Sequence, residues 1–433
     1  MTTASSGSTE MTLPSSVSLL QLVRSEWSFF LYGGLMSFWS SLGQTFFISL
    51  FSNEIRADLQ LSHGDFGGYY AIATLASAAT LIWLGKLADL MSVKKLSLIT
   101  LGAICLAALH FSFIASTISL VIGIYLLRLF GQGMMFHVYS TSIARRYIIA
   151  RGRALAVTGV GINIAESIGP AIIISLLSLY DWRQIWAGIA LFALFSFAPL
   201  IPRLTKRTPL QDGLGWQKPG ADDDMPPSEL GGMRRIDALK EPIFWTVIIW
   251  IIAVPSFTIT GLLFHQLYLA EAKGVSLLVW SAHYAFYAVA AVIGAFLSGI
   301  LVDRFTAHQL ATAAQLPIAF AALCLWLAPT SLALIGFFSL FGLASGMLSN
   351  TTSALLAERY GTRYLGEIKA MAQPITVIGS ALSPVIMGVM IDAGASLGLL
   401  MGLVVLSTLA VSGICFFTFN LQFSRYGPRD WRA

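Results

Sequence analysis

Charged residues are scarce in this chain. Lys, Arg, Asp and Glu make up 11% of its 433 residues, whereas about 25% is usual in a soluble domain. So few charges cannot cover a water-facing surface of this size. Hydrophobic residues make up 56% of the chain and the mean hydropathy is +0.77. These values indicate that most of the surface faces the hydrocarbon of a lipid bilayer.

The sequence also lacks the patterns that metal, disulfide or enzyme chemistry requires. Its three cysteines, Cys105, Cys324 and Cys415, lie in apolar segments, where a thiol is a small buried hydrophobic group. No spacing of Cys, His and carboxylates fits a metal site, and no glycine-rich loop or nucleophile–base pair is present. We therefore expect no metal, no cofactor and no enzyme activity.

Long charge-free runs predict twelve transmembrane helices, because about 20 apolar residues cross the hydrocarbon. The polar start of the chain does not match a signal peptide, so we expect residues 1–27 to be a cytoplasmic tail, with a second tail at 420–433. The predicted helices 1 to 12 cover residues 28–52, 66–84, 97–115, 119–143, 154–179, 185–202, 243–269, 277–299, 309–328, 331–353, 371–391 and 397–419.

The segment between the sixth and seventh helices has a different composition. Residues 203–242 contain 14 of the 47 charged residues of the chain. Such a polar segment is typical of a solvated linker. We therefore predict two six-helix bundles, at 28–202 and 243–419, joined by a cytoplasmic linker.

The distribution of basic residues predicts the orientation. If both termini are cytoplasmic, 22 of the 26 Lys and Arg residues lie in cytoplasmic segments and three in outer loops. This satisfies the positive-inside rule and requires an even number of helices. It also explains the basic pI of about 9.1 without nucleic acid. We expect a multi-pass protein of the inner membrane.

The two predicted bundles are related by an internal repeat. Residues 85–89 (Gly-Lys-Leu-Ala-Asp), after helix 2, match residues 299–303 (Gly-Ile-Leu-Val-Asp), after helix 8. Residues 144–147, after helix 4, match residues 357–360, after helix 10. The offset along the chain is nearly the same for both matches, and they lie at equivalent places in each bundle. The order and spacing indicate a duplication with both copies in the same orientation.

These features give the chain a resemblance to the major facilitator superfamily over residues 28–419. The superfamily motif Gly-x-Leu-x-Asp is carried by Gly85, Leu87 and Asp89, and a helix 4 motif begins at Arg128. Leu90 stands where the superfamily usually has Arg. The resemblance implies an all-α fold of two parallel six-helix bundles and a monomeric secondary transporter that works by alternating access.

The resemblance also implies a cytoplasmic gate at the duplicated loops. Asp89 would pair with Arg145 or Arg146, and Asp303 with Arg359. The alternative is that these charges only determine topology at a water interface. The residues assigned to the predicted gate are Gly85, Asp89, Arg145, Arg146, Gly299, Asp303, Arg304 and Arg359.

Two strong charges lie deep inside predicted helices, Arg128 on helix 4 and Glu166 on helix 5. A charge at that depth is costly, so it should face a cavity or a partner. Helical periodicity places Gln132 and Tyr139 on the stripe of Arg128, and Asn163 on that of Glu166. Arg128 and Glu166 lie at depths within reach of each other. They could couple transport to a proton on Glu166, bind an anion through Arg128, or form a static ion pair.

Further candidates come from helices 1, 7 and 10, which the resemblance implies line the central cavity. His265 lies near the predicted outer end of helix 7, where a hydrated imidazole is also expected. These candidates are Tyr32, Trp39, Gln44, His265, Gln266 and Asn350.

Together these features favour proton-coupled symport of a small organic anion, such as a monocarboxylate. The expected partners are the solute, H+ and the lipid bilayer. One alternative is proton-driven efflux of amphipathic compounds, because helix 5 carries Gly169 and Pro170 of the antiporter signature. The other is a non-transporting receptor, although neither tail is long enough to fold into an output domain.

Overall fold

The fold is all-helical. The computed structural model describes residues 19–147, 151–206, 232–361 and 363–430, and in these ranges the only extended pairing is an isolated bridge between Gly232 and Gly361. Helices dominate because each satisfies its own backbone hydrogen bonds, which a membrane core without water requires. The predicted all-α fold is confirmed.

Twelve helical regions follow the predicted order. Ten contain a helix long and apolar enough to cross a membrane alone within the described ranges; the exceptions are helix 1, which is interrupted, and helix 6, which has 16 residues. The bounds are as follows: helix 1, Trp27–Trp39 with short segments Ser40–Gly43, Thr45–Ile48, Ser49–Phe51 and Ser52–Leu59; helix 2, His63–Leu84; helix 3, Val93–Phe111; helix 4, Thr117–Leu127, Arg128–Met135 and Phe136–Arg146; helix 5, Arg151–Leu177; helix 6, Trp182–Phe197; helix 7, Phe244–Ile248, Ile249–Phe264 and Gln266–Ala272; helix 8, Leu277–Ala282 and Tyr284–Arg304; helix 9, Ala307–Ala313 and Leu316–Leu327; helix 10, Thr330–Tyr360; helix 11, Leu365–Asp392; and helix 12, Leu397–Asp430.

Helix 1 is broken where the sequence predicts a continuous span. Its α-helix gives way to a 3-10 turn at Ser40–Gly43, and Gln44 is extended. A Cβ added at Gly43 would lie 2.6 Å from the backbone nitrogen of Gln132, and one added at Gly131 would lie 2.6 Å from the nitrogen of Gly43. Helices 1 and 4 therefore cross with their backbones in contact. Helix 4 forms a π-helix at this crossing, over Arg128–Met135.

The chain around the predicted linker and second tail is more helical than expected. Short helices at Ile201–Leu204 and Arg235–Lys240 border the linker, and residues 207–231 lie outside the described ranges. Helix 12 continues to Asp430, well beyond its predicted end at 419. The sequence there becomes polar without a helix-breaking residue before Gly427, so loss of hydropathy did not mark the end of the helix.

Each half has its own apolar core and an apolar exterior. Trp186 packs against Phe47, Phe51 and Phe111 in the first half. Large side chains on the outside are exposed, with Phe195 at 73%. An exterior of this kind fits lipid and would be unstable in water.

The two halves meet near the predicted outer side. Every described hydrogen bond between them involves residues in the outer part of helices 1, 2, 7 or 11. Ring contacts across the halves, such as Tyr70 with Phe264 at 4.8 Å, lie in the same region. The described residues show no hydrogen bond, ion pair or ring contact between the halves near the predicted cytoplasmic side. The structure is therefore closed at the predicted outer side.

Candidate functional site

Arg128 is buried and holds the broken part of helix 1. Its side chain is 4% exposed, and Nη1 donates to the carbonyl of Gly43 at 3.3 Å and to the hydroxyl of Thr45 at 3.4 Å. The guanidinium also lies 5.1 Å from the ring centre of Tyr70 on helix 2. The Nε atom is buried without a hydrogen-bond partner among the described atoms. These contacts connect helices 1, 2 and 4 around a positive charge.

Glu166 lies on the other side of helix 1, where helix 5 packs against helix 8 of the second half. It is half-buried and makes no hydrogen bond or ion pair with a described residue. It is close enough to the hydroxyls of Tyr284 and Tyr287 to interact electrostatically with both. Those hydroxyls already donate to Gln266 at 2.7 Å and to Ser345 at 3.1 Å. The carboxyl group therefore stands at the interface between the halves without a bonded partner in the described chain.

The static ion pair considered for Arg128 and Glu166 is wrong for this structure. The ion pairs of the described residues do not join them. Arg128 turns towards helices 1 and 2, whereas Glu166 turns towards helix 8. Depth along two helices placed the groups at a similar level, but the rotation of each helix about its axis separates their side chains.

The remaining candidates on helices 1, 4 and 5 fall into two groups. Tyr32 and Trp39 are buried in packing contacts, because the Tyr32 hydroxyl is 2.7 Å from that of Ser97 and Trp39 meets a ring of helix 6. Tyr139 is 3% exposed and packs on Phe136. The other group is Gln44, Gln132 and Asn163, whose half-buried amides make no side-chain hydrogen bond to a described residue.

On helix 7, Gln266 and His265 lie within the contact that closes the outer side. The amide nitrogen of Gln266 donates to the carbonyl of Phe46 at 2.8 Å and the hydroxyl of Ser49 at 2.7 Å, both in the first half. His265 is 3% exposed, and its Nε2 is 3.0 Å from the carbonyl oxygen of Pro384. The expectation of a hydrated histidine is therefore wrong, because helix 11 covers the ring.

Asn350 contacts helix 8. Its amide nitrogen donates to the carbonyl of Ala295 at 2.8 Å and to the hydroxyl of Ser298 at 3.2 Å. His137, its counterpart in the first half, is bonded in the same way to the carbonyl of Gly85, at 3.0 Å. Asn350 and His137 thus occupy equivalent positions and tie helix 10 to helix 8 and helix 4 to helix 2.

The first half of the predicted gate has the expected pairing. Arg145 forms an ion pair with Asp89, and its second nitrogen donates to the carbonyl of Ala88 at 2.8 Å. Both charged side chains are more than half exposed. The pair joins the loop after helix 2 to the end of helix 4 within one half.

The expected pairing of the second half involves a side chain outside the described residues. Arg359 pairs with Glu241 at 3.2 Å, and the side chain of Asp303 lies outside the described residues. Gly299 and Arg304 are exposed. Glu358, the counterpart of Arg145, accepts the backbone N–H of Ala307 at 2.6 Å and so caps helix 9. The pairing of Asp303 with Arg359 therefore stays a prediction, and Glu241 is a partner of Arg359 that the duplicated loops did not indicate.

Sequence reasoning missed a duplicated ionic cluster. Arg146 contacts Glu26 through Nη2 at 2.6 Å and through Nε at 2.7 Å, and the Tyr147 hydroxyl donates to the same carboxylate at 3.1 Å. Glu241 stands in the equivalent place beside Arg359, at almost the offset that separates the repeated loops. The signal was present, but Glu26 was assigned to the tail and Glu241 to the linker.

Comparisons with known proteins agree with this architecture. A search of curated protein sequences finds no significant match. Among solved structures, a bacterial homologue of the human lysosomal transporter Spinster, inward-facing and occupied, matches with a TM-score of 0.67 and 15% identity over 92% of this chain and 97% of that one. Its inward-facing unoccupied form matches with a TM-score of 0.61 and 16% identity over 95% and 98%. A point mutant of the nucleoside transporter NupG matches with a TM-score of 0.64 and 12% identity over 91% and 99%.

The family assignment rests on sequence. The family model of the Major Facilitator Superfamily matches residues 33–384 and 255–433, which together cover most of the chain. Members of this family carry small solutes across membranes and are not enzymes. With its duplicated six-helix halves, the chain belongs to the Major Facilitator Superfamily of secondary transporters.

Proposed function

We propose that this transporter carries a small organic anion, such as a monocarboxylate, together with a proton across the inner membrane, and that Glu166 is the proton site. The observation that supports this most directly is the position of Glu166. It is a half-buried carboxyl group in a transmembrane helix, at the interface of the halves, with no cation or hydrogen-bond donor bonded to it in the described chain. A charge in such a place is costly, which favours uptake of a proton.

The buried guanidinium of Arg128 favours an anionic solute. Its bonded partners are a carbonyl, a hydroxyl and an aromatic ring, all neutral. A buried charge without a counter-ion leaves a positive potential that extends further than in water, since the interior screens it poorly. At 4% exposure, Arg128 acts on the solute mainly through this potential and through the position of helix 1.

Proton and anion then bind in a linked way. With Glu166 ionised, its negative charge offsets the potential of Arg128 and repels an anionic solute. With Glu166 protonated, the potential of Arg128 is unopposed and the anion is favoured. Each ligand therefore raises the affinity for the other, which is the linkage that symport requires.

The test is transport in proteoliposomes with radiolabelled monocarboxylates and an imposed pH gradient. We expect the parent protein to accumulate the anion when the outside is acidic. Glu166→Gln should lose this accumulation but retain exchange of labelled for unlabelled anion, because exchange needs no net proton movement. Glu367→Gln, which changes an exposed carboxylate in the first turn of helix 11, is the matched control.

Three results would lead to other conclusions. Gradient-driven accumulation by Glu166→Gln at the parent rate would show that the proton binds elsewhere. Acid-driven uptake of lipophilic cations into inverted vesicles, without anion transport, would establish efflux. Binding of a solute without any flux would establish a receptor.

The solute class can be identified first by thermal stabilisation, since a ligand of the folded state raises the melting temperature. Organic anions, lipophilic cations, sugars and amino acids would be compared at about pH 5.5 and about pH 7.5. We expect one anion class to stabilise the parent, more at the lower pH. Arg128→Gln should abolish that effect, and equal stabilisation of both proteins would limit Arg128 to a structural role.

A further inference from the structure

A carboxylate of the second half caps a helix of the first half at the predicted outer side. Asp392, the last residue of helix 11, accepts the backbone N–H of His63 at 3.0 Å and of Gly64 at 2.7 Å. These are the first two residues of helix 2. A carboxylate at a helix N-terminus gains from the helix dipole and from charge-assisted hydrogen bonds. Ser62 and Asp65 already provide a cap from the same chain segment, so Asp392 is an additional cap from the other half.

The backbones of helices 2 and 11 are close enough for this contact because of glycine. A Cβ added at Gly388 would lie 2.5 Å from the carbonyl oxygen of His63, and one added at Gly64 would lie 3.0 Å from the Asp392 carboxylate. A side chain at position 388 would meet the backbone of helix 2 and push the two helices apart. We call Asp392, His63 and Gly64 the outer latch.

Further titratable groups surround the latch. The ring of His63 lies 5.8 Å from that of His265 and 5.7 Å from that of Tyr268, both on helix 7 of the other half. Arg56, in the last segment of helix 1, lies within electrostatic range of Asp392 and of Glu271 on helix 7. Asp392 itself is exposed, so protons from the outer solution reach its carboxylate.

We propose that the outer latch is a second proton-responsive site, distinct from Glu166, and that protons from the outer solution open the outer side of the transporter through Asp392. Protonation of Asp392 removes the negative charge that both N–H groups and the helix dipole favour. Acid also adds positive charge to His63 and His265, which face each other across the halves beside Arg56. A protonated His63 attracts Asp392, but only while Asp392 remains ionised. When all three groups are protonated, neutral Asp392 holds helix 2 less strongly against helix 11, and the two histidines repel each other between helices 2 and 7.

The outer latch would link the conformation of the transporter to the pH of the outer solution. Neutral solution on the outer side keeps the latch closed, as in this structure. Acidic solution favours an outward-open state, the state in which a symporter takes up its proton and solute.

Distance measurements between the halves test the proposal. Spin labels would be placed at Ala57, in the last segment of helix 1, and Leu399, in helix 12, both exposed near the outer side. The background replaces the three cysteines by alanine, and the protein is measured in lipid nanodiscs. The parent should show a short distance at about pH 7.5 and a growing longer distance towards about pH 3.5, below the ordinary carboxyl pKa of about 3.9. Asp392→Asn should raise the ratio of long to short distances about tenfold at neutral pH and flatten its pH dependence.

Two controls separate this effect from others. Asp181 caps helix 6 within the first half, by accepting the N–H of Arg183 at 2.8 Å, so Asp181→Asn should leave the outer distance unchanged. Glu166→Gln should retain the pH response of the outer distance even if it loses proton-driven accumulation. The proposal for the outer latch and the proposal for Glu166 can thus be refuted independently.

If Asp392→Asn does not fold, Gly388→Ala provides a second perturbation, since its methyl group should displace helix 2 and populate the longer distance at neutral pH. A parent protein whose outer distance is the same at both pH values would overturn the proposal. So would Asp392→Asn with the distances and pH response of the parent.

Discussion

The ionic cluster of Glu26, Arg146 and Tyr147 should be a main source of stability in the first half. Glu26 is 7% exposed and accepts two hydrogen bonds from Arg146, whose side chain is 11% exposed. Arg146→Gln leaves this carboxylate buried with the Tyr147 hydroxyl at 3.1 Å as the remaining described donor. Removing one partner of a buried ion pair costs about 3–5 kcal/mol, because the other charge stays desolvated. Arg146 also lies 5.0 Å from the ring of Phe29, a contact that the variant loses.

The second half provides the matched comparison. Arg359 and Glu241 occupy the equivalent positions, but their distances are 3.2 to 3.4 Å and Glu241 is 20% exposed. Water reaches this carboxylate more easily, so Arg359→Gln should cost about 1–2 kcal/mol. The two substitutions are chemically identical, so the double-mutant cycle at each pair is needed to separate the ion pair from the other contacts of each arginine.

The measurement is equilibrium unfolding in mixed detergent micelles, with circular dichroism as the signal. A double-mutant cycle with Glu26→Gln isolates the pair, and we expect a coupling free energy of about 2 kcal/mol between positions 26 and 146. The cycle at 241 and 359 should give about half of that. A loss below about 1 kcal/mol for Arg146→Gln, or a larger loss for Arg359→Gln, would refute the reasoning.

Two further predictions concern the first half. Gly131→Ala should destabilise the protein by about 1–3 kcal/mol, because its methyl group meets the backbone of helix 1; Gly152→Ala, where nothing lies within 4 Å, is the control in the same unfolding assay. Trp182 and Arg183 donate to Asp58 and lower its pKa, so they stabilise the fold above the ordinary carboxyl pKa of about 3.9 and cease to do so as the pH falls through the lowered pKa. Since Asp58 is 40% exposed, the effect should be below about 1 kcal/mol. As the pH is lowered from about 6 to about 3, the melting temperature should fall less steeply in Asp58→Asn than in the parent.

The sequence was sufficient for the fold class because that depends on composition and on repetition along the chain. Hydropathy located the helices, and the repeat at residues 85 and 299 related the halves. It could not locate the break in helix 1. That break depends on the contact of Gly43 with Gly131, which lies far along the chain on helix 4, and no local pattern around Gly43 reveals its partner.

The candidate site was predicted in part. Asp89 pairs with Arg145 as expected, since a loop motif and a helix end are adjacent in any such bundle. The relation of Arg128 to Glu166 was not predictable, because a helical stripe gives no information about how one helix is rotated towards the next. Glu26 and Glu241 were hidden by the boundaries that hydropathy assigned, since a buried carboxylate at a helix end looks like part of a polar tail.

The charges that break the internal symmetry distinguish one half of the protein from the other. Tyr70 and Tyr284 occupy equivalent positions in the repeat, and each bonds the preceding helix of its own half, through Thr45 and Gln266. Such equivalent pairs build two similar bundles of the same orientation and do not distinguish one half from the other.

Arg128, Glu166 and Asp392 have no charged counterpart, since the equivalent positions hold Gly342, Ser380 and Ser178. Arg128 and Glu166 lie in the first half, whereas Asp392 lies in the second half and binds the first. A proton on Glu166 changes the charge at the interface of the halves, and a proton on Asp392 changes the contact that holds them together at one side. A Ser178→Asp variant would add a carboxylate at the equivalent end of helix 5. Among the described residues, Ser178 makes no hydrogen bond to a helix N-terminus of the second half. We therefore expect that variant to leave the pH response of the outer distance unchanged, because the response depends on the contact with helix 2 and not on negative charge at the outer side.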